Sequence, residues 1–378
     1  MSSLLFCFVI GLLPSTDPIS RPQLSVVNGS RQPVEVHWTP ENGDSVLVDT
    51  VPPLVSRRIR THLGHRFLLV GGHDLREVSV ESVALHQAVR FDPPDPAGVP
   101  MMYTQRIDAG GFPIVASAKV NAYALEEARY LVDKMLGNRH ELRQAIVDSG
   151  ARLCILAWNE FTTDLPEWSW LAQLERDDFD GISAKDYYDR RARGMGGSLT
   201  DPFCSCGEEN LLGYKGDPYS TENILVHEFA HCVHLRGMSN LDPTFDVRVK
   251  KAYQQAMRQG LWAGKYAAVN HHEYFAEGVQ SWFNTNRQND HDHNHVDTRE
   301  ELKSYDPGLA SIIKEVFGDG SFRYTHPLDR TTGHLKGYQP SQSPKFEWPK
   351  RLAPAILSIR AQTQKRIDLT AGSARISR

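Results

Sequence analysis

The sequence predicts an α+β protein in two parts: a small β-sandwich-like module over about residues 22–85, then a longer, mostly helical body with a small sheet over about 98–330. Three observations carry this. Short β-branched runs punctuated by Asn-Gly and Pro-Pro pairs fill the first part. Past the breaker-rich stretch Asp92-Pro93-Pro94-Asp95-Pro96-Ala97-Gly98, apolar residues recur at spacings of three and four, as on a helix face. A single continuous apolar run, Leu153-Cys154-Ile155-Leu156-Ala157, then reads as a buried strand.

Element by element, Leu24–Val27, Val34–Trp38, Ser45–Val48 and Phe67–Val70 are the expected strands of the first module, with turns at Asn28-Gly29, Asn42-Gly43 and Pro52-Pro53. In the body, Ala122–Leu136 and Glu141–Val147 carry the helical spacing. A further helix is expected to start near Ser220 or Thr221, after Asp217-Pro218, and to stop near Gly237. Another should start at Asn270, with residues 256–266 connecting the two. Asp306-Pro307 caps a short helix through Val316, and residues 331–378, rich in Gly, Pro, Ser and Gln at their start and basic at their end, read as a wrap or tail. No internal repeat is visible.

With 378 residues, 40% of them hydrophobic, the chain buries a substantial core. A net charge of −4 supplies no field that would draw it to nucleic acid, and no run is long enough for stable membrane insertion, but charge says little about other partners. Leu4–Leu13 is apolar and of signal-peptide length, followed by Pro14 and Pro18; residues 1–20 are therefore expected to be a secretory signal and the protein to be exported, although no Lys or Arg precedes the run. The alternative is a cytoplasmic protein with an apolar N-terminus tucked against its body. Export would leave Cys154, Cys204, Cys206 and Cys232, an even number open to disulfides of unreadable pairing, and would make Asn28-Gly29-Ser30 a usable glycosylation sequon.

The chemistry concentrates in His227-Glu228-Phe229-Ala230-His231. Residues four apart share a helix face, so His227 and His231 can aim imidazole nitrogens at one zinc ion, with Glu228 beside them to handle a proton. A hydrolytic zinc wants three protein ligands and one open position, and Glu273, in Glu273-Tyr274-Phe275-Ala276-Glu277, is the third-ligand candidate. Glu277 lies four residues further on the same face and suits an acceptor that orients a ligand histidine. His234, His271 and His272 are rival ligands, but three ligands from one straight helix would strain the geometry. The extended metzincin pattern asks for Gly at position 234 and His near 237, which this chain lacks. His291-Asp292-His293-Asn294-His295 reads as a surface loop. Ile155-Leu156-Ala157 is a candidate edge strand for an extended peptide, and Gly194-Met195-Gly196-Gly197 a loop of close backbone approach.

With Tyr266 seven residues before Glu273, this arrangement resembles the gluzincin metallopeptidases, specifically the catalytic domain of anthrax lethal factor and the secreted Pro-Pro endopeptidases. The likeness is dense over about residues 217–285. It implies a zincin-like domain holding one catalytic Zn2+ on His227, His231 and Glu273, with Glu228 as general base and Tyr266 supporting the oxyanion. The first module is similar to the β-domain of the von Hippel–Lindau protein through Val34–Trp38, Pro52-Pro53, Arg57-Arg58-Ile59 and Gly64–Leu68. That resemblance implies peptide binding around Thr61, His65 and Phe67, with hydroxyproline as the family's ligand; Val48 stands where the family has a pocket tyrosine, which removes a hydroxyl. The expected function is a zinc-dependent endopeptidase whose sandwich recruits proline-containing substrate. The alternative is a noncatalytic, zinc-containing peptide-binding protein.

Overall fold

The computed structural model describes residues 23–364, except 31, 54, 81–85, 92–98, 175–181, 199–200, 243 and 331. The apolar run at residues 4–13, the breaker stretch 92–98 and the last residues of the tail lie outside the described residues. Architecture is mixed α and β with three sheets.

Among the described residues the first module contains seven strands: β1 (Gln23–Asn28), β2 (Val34–Thr39), β3 (Val46–Val51), β4 (Ser56–Arg60), β5 (Arg66–Gly71), β6 (Asp74–Ser79) and β7 (His86–Phe91). They form a three-stranded sheet in the order β4-β1-β7 and a four-stranded antiparallel sheet in the order β3-β2-β5-β6. Alternation decides which residues turn inward: Leu24 and Val26 from one sheet meet Val34, Val36, Phe67 and Leu69 from the other in one apolar cluster. β7 lies past the boundary expected at residue 85 and pairs in parallel with β1. Asn28 is fully buried; its side-chain amide donates to the carbonyls of Gln32, Val51 and Pro52, and its Oδ1 accepts from Ser30. The sequon therefore forms a folded Asx turn rather than an exposed glycan acceptor.

The body is built on a five-stranded sheet in the order β11-β12-β10-β9-β8. Its strands are β8 (Gln105–Ala109), β9 (Phe112–Ala116), β10 (Arg152–Leu156), β11 (Gly194–Met195) and β12 (Phe203–Gly207). All five residues of β10 are buried, as its continuous apolar pattern requires. β10 pairs with β9 on one side and β12 on the other, so the expectation of an edge strand at Ile155–Ala157 is corrected. A run apolar on both faces belongs inside a sheet; the outer strand on that side is β11.

Helices cover the sheet. α1 (Ala122–Leu136) begins where the Asn121 side chain accepts from Tyr123 N–H and stops at Gly137, in the positive-φ region. α2 (His140–Asp148), α3 (Ala184–Arg191) and α4 (Glu208–Leu212) follow. α5 (Ile224–Cys232) starts about three residues later than expected, because Asn223 is the residue whose side chain caps it, through Val226 N–H. Nor does it stop at Gly237: the backbone widens into a π-helical segment (Val233–Met238) and closes with α6 (Ser239–Leu241). Gly237 acts in packing rather than termination, since a Cβ there would sit 2.6 Å from Leu142.

The expected connector overlooked α7 (Phe245–Arg258), whose Phe245, Val249 and Ala256 are buried on one face; a short 3₁₀ turn (Tyr266–Ala268) follows. α8 (His271–Trp282) is capped by Asn270, which accepts from the N–H groups of His272 and Glu273. α9 (Arg299–Tyr305) carries a Thr298/Glu301 capping box, and α10 (Pro307–Phe317) starts at Asp306-Pro307 as expected. Beyond Thr332 the chain runs back across the body, pinned by Tyr338 O–H to Leu212 O at 2.9 Å and Phe346 N–H to Lys215 O at 2.9 Å. Among the described residues no helix is long and apolar enough to cross a membrane.

Among the described residues, Cys154, Cys204, Cys206 and Cys232 are buried and free. Burial pushes the Cys154 thiol up to about 12, so it packs as a small apolar residue rather than reacting.

A buried ion pair secures β11 to the body. Arg193 donates from Nε to Glu209 Oε1 at 2.5 Å and from Nη2 to Glu209 Oε2 at 2.9 Å, while its remaining donors reach the carbonyls of Glu160 and Ala157. Both side chains are completely buried. Replacing Glu209 with Ala leaves a buried guanidinium uncompensated and is expected to cost about 3–5 kcal/mol. A urea unfolding midpoint equal to that of the wild type would refute this role.

Candidate metal centre

Two helices build the centre. α5 carries His227 and His231 one turn apart on one face, and α8 packs against it with Glu273 in its first turn. Their three ligating atoms converge: His227 Nε2 lies 3.1 Å from Glu273 Oε2, His231 Nε2 lies 3.3 Å from the same oxygen, and the two nitrogens are 3.2 Å apart. Ligands of a tetrahedral zinc at about 2.0–2.1 Å stand about 3.3–3.4 Å from one another, so these residues fit one ion. Glu228 sits beside them, with a carboxylate oxygen within 4.8 Å of both histidine nitrogens.

A residue that sequence reasoning missed sets the tautomer. His227 Nδ1 is 2.8 Å from Gln280 Oε1, and Gln280 Nε2 in turn donates to Glu222 Oε2 at 3.0 Å. Glu222 can only accept, which fixes the orientation of the amide; Oε1 can only accept, so Nδ1 carries the proton and the Nε2 lone pair faces Glu273 and His231. Glu277, the residue expected in this role, is further away, its Oε1 3.5 Å from His227 Nδ1. Its other oxygen accepts from Asn286 Nδ2 at 3.0 Å and lies 3.3 Å from His293 Nε2. The signal for Gln280 was available, since it lies seven positions after Glu273 and so on the same helix face.

The electrostatics favour a cation. Burial raises the Glu228 carboxyl above its ordinary value, against the pull of the two histidines. Burial acts the same way on Glu273, but the two histidines outweigh it and hold that carboxyl well below the usual range. The Tyr266 phenol is pushed well up, first by burial and then by Glu273, so it stays protonated and able to donate. Its ring centroid is 6.3 Å from that of His227, and its backbone N–H is tied to Asp292 O at 2.8 Å. Arg191, at the end of α3, acts electrostatically on Glu228, Tyr266 and Glu273. It stands well before the His227–His231 motif in sequence, and no spacing rule connects the two.

β11 presses on this centre. A Cβ on Gly194 would lie 2.9 Å from Glu228 Oε1, and one on Gly196 would lie 2.5 Å from the His231 ring. The glycines expected to admit a substrate backbone therefore admit the strand itself against α5.

The other candidates lie elsewhere. His234, His271 and His272 gather around Asp246 rather than joining His227. His293 is buried, with Nδ1 2.8 Å from Asp290 Oδ1, so the loop expected to be wholly at the surface has an anchored centre. In the first module Thr61 Oγ1 is 3.2 Å from His65 Nδ1, and the His65 ring is 5.2 Å from Trp38 and 6.4 Å from Phe67. Thr61, His65 and Phe67 thus form one cluster, while Val48 is exposed on β3.

No family model matches this sequence, and no curated protein matches it significantly.

Because Gln280 holds the His227 tautomer, Gln280→Leu is expected to weaken zinc binding by about 10- to 100-fold while leaving the fold intact. Competition against a chromophoric chelator measures this, and an unchanged affinity would show that Gln280 is a bystander.

Proposed function

We propose that the protein is a zinc-dependent endopeptidase of gluzincin type, with a zincin-like catalytic body and an N-terminal β-sandwich. The observation that carries this reading is the mutual spacing of 3.1–3.3 Å among His227 Nε2, His231 Nε2 and Glu273 Oε2, with Glu228 alongside. Held by those three residues, zinc would supply an ionisable water near neutral pH and a Lewis acid for the scissile carbonyl.

The rest of the reaction falls to the chain's own groups. Glu228, an acceptor whose raised pKa suits proton transfer, takes the proton from the attacking water and passes it to the leaving amine. Tyr266, kept protonated by burial, donates to the tetrahedral oxyanion, an interaction stronger in the transition state than in the ground state. The Arg191 charge supports the same developing anion. β11 is the outer strand of its sheet and lies against α5, so an extended peptide adding to that edge passes the centre.

The sandwich serves recruitment in this reading. His65 offers a polar group beside the ring of Trp38, with Thr61 and Phe67 buried against it, a combination suited to a proline-containing segment. Tethering that segment raises its local concentration at the centre. Contacts from Arg57 Nη1 to Gln173 Oε1 at 3.1 Å and from the Arg58 guanidinium over Trp170 connect the two parts.

Glu228→Gln is expected to keep zinc and lose about 10²–10⁴ in kcat, and Tyr266→Phe to lose about 10²–10³, on a peptide library read by mass spectrometry. Wild-type turnover by Glu228→Gln would overturn the assignment of the base. Lack of cleavage by the zinc-loaded wild type would favour a noncatalytic peptide-binding protein. For recruitment, His65→Ala should raise KM for long proline-rich substrates and spare short peptides; equal kinetics on both would argue for a purely structural sandwich.

A further inference from the structure

α5 and α8 carry histidines that the catalytic reading does not use. Three residues past His231 the π-helical segment turns His234 away from the first centre and toward α7 and α8. There His234 is completely buried between Phe245 and Phe275, with ring centroids 5.3 and 5.0 Å away. Its Nε2 lies 3.1 Å from Asp246 Oδ1, while its Nδ1 has no hydrogen-bond partner. A fully buried ring nitrogen without a partner forfeits its solvation for nothing in return.

Two more imidazoles meet the same oxygen. His271 Nε2 is 2.9 Å and His272 Nε2 3.5 Å from Asp246 Oδ1, and the ligand atoms of Asp246, His271 and His272 all lie within 4.8 Å of one another. The His271 and His272 ring centroids are 4.0 Å apart. Three imidazoles around one carboxylate oxygen exceed what that oxygen's lone pairs accept, and three imidazole nitrogens with one carboxylate oxygen form a donor set suited to a divalent ion. Asp246, His271 and His272 remain partly exposed and leave a route for an ion to enter.

We propose that Asp246, His271 and His272, with His234 as the fourth ligand, bind a second divalent metal of zinc type, separate from the His227/His231/Glu273 centre. The ion joins the π-helical segment after α5, the start of α7 and the first turn of α8. Two of those elements belong to or continue the helices that carry His227, His231 and Glu273, so its role is structural: it clamps α5 to α8. The inference does not depend on the proposed peptidase activity.

The test is metal stoichiometry of the full chain, stripped with chelator and titrated with Zn2+ and, for its visible spectrum, Co2+. The wild type is expected to bind about two equivalents, His227→Ala/His231→Ala about one, and Asp246→Asn about one. His272→Gln, at a partly exposed position, provides the same readout should Asp246→Asn fail to fold. Wild-type binding of about one equivalent that survives both Asp246→Asn and His272→Gln would overturn the second site and leave the catalytic centre standing. A single equivalent lost in those variants but kept in His227→Ala/His231→Ala would support the second site and overturn the first. Two equivalents unaffected by Asp246→Asn and His272→Gln would also overturn the assignment.

Discussion

The packing of α5 against α8 is the constraint on which the centre depends, and the hydrogen bond between His227 Nδ1 and Gln280 Oε1 keys it. A histidine pair on a helix offers two donors whose rings can still turn. Only a neighbouring helix, in register, turns them to one point and supplies the anionic third donor. The register is set by local chemistry at both helix starts: Asn223 opens α5 and Asn270 opens α8, each by accepting from N–H groups of its own first turn. Asn270 accepts from the backbone of Glu273 itself, so the cap that starts the helix also fixes the third donor's backbone.

Around this crossing glycines let the elements of the body approach closely. Gly278 lets α10 close on α8, a Cβ there meeting Leu309 at 2.5 Å. Gly194 and Gly196 do the same for β11 against α5. Each glycine gives up side-chain packing of its own and gains a close approach between larger elements. The charges this buries are paired: Arg193 with Glu209, and Arg152 with Glu167, which also accepts from Tyr103 O–H at 2.5 Å. Such pairs add little net stability over an apolar core, but breaking one leaves an uncompensated buried charge.

The segments at either end attach to this body by different means. The first module reaches it through Arg57 and Arg58, contacts suited to a separate unit with a core of its own. The last stretch has little core of its own and lies on the body through isolated anchors. Arg330 and His334 meet the buried Glu127, and Arg351 pairs with Asp186 and Asp189 on α3. Through α3 that last contact reaches the helix that ends in Arg191, and so connects the wrap to the electrostatics of the centre.

Local rules made much of this legible in the sequence. α1 and α10 run over the expected spans because Asn121, Gly137 and Asp306-Pro307 are strong punctuation. β10 was visible from its unbroken apolar run, and the His227/His231 pair from its spacing of four. All of these depend on neighbours within a few residues. What the sequence alone could not decide were relations between distant segments: that β10 lies inside the sheet rather than at its edge, that Gly237 serves packing instead of ending a helix, and that Gln280 rather than Glu277 is the nearer partner of His227. Asn28 reads as a glycosylation site until β3 and the Pro52 turn enclose it. The histidines show the difference most clearly, because 234, 271 and 272 have the same chemistry as 227 and 231. Only the π-helical widening after Cys232 and the arrival of α7 with Asp246 separate them into two groups, since a side chain's partners are set by where helices cross and not by its own identity.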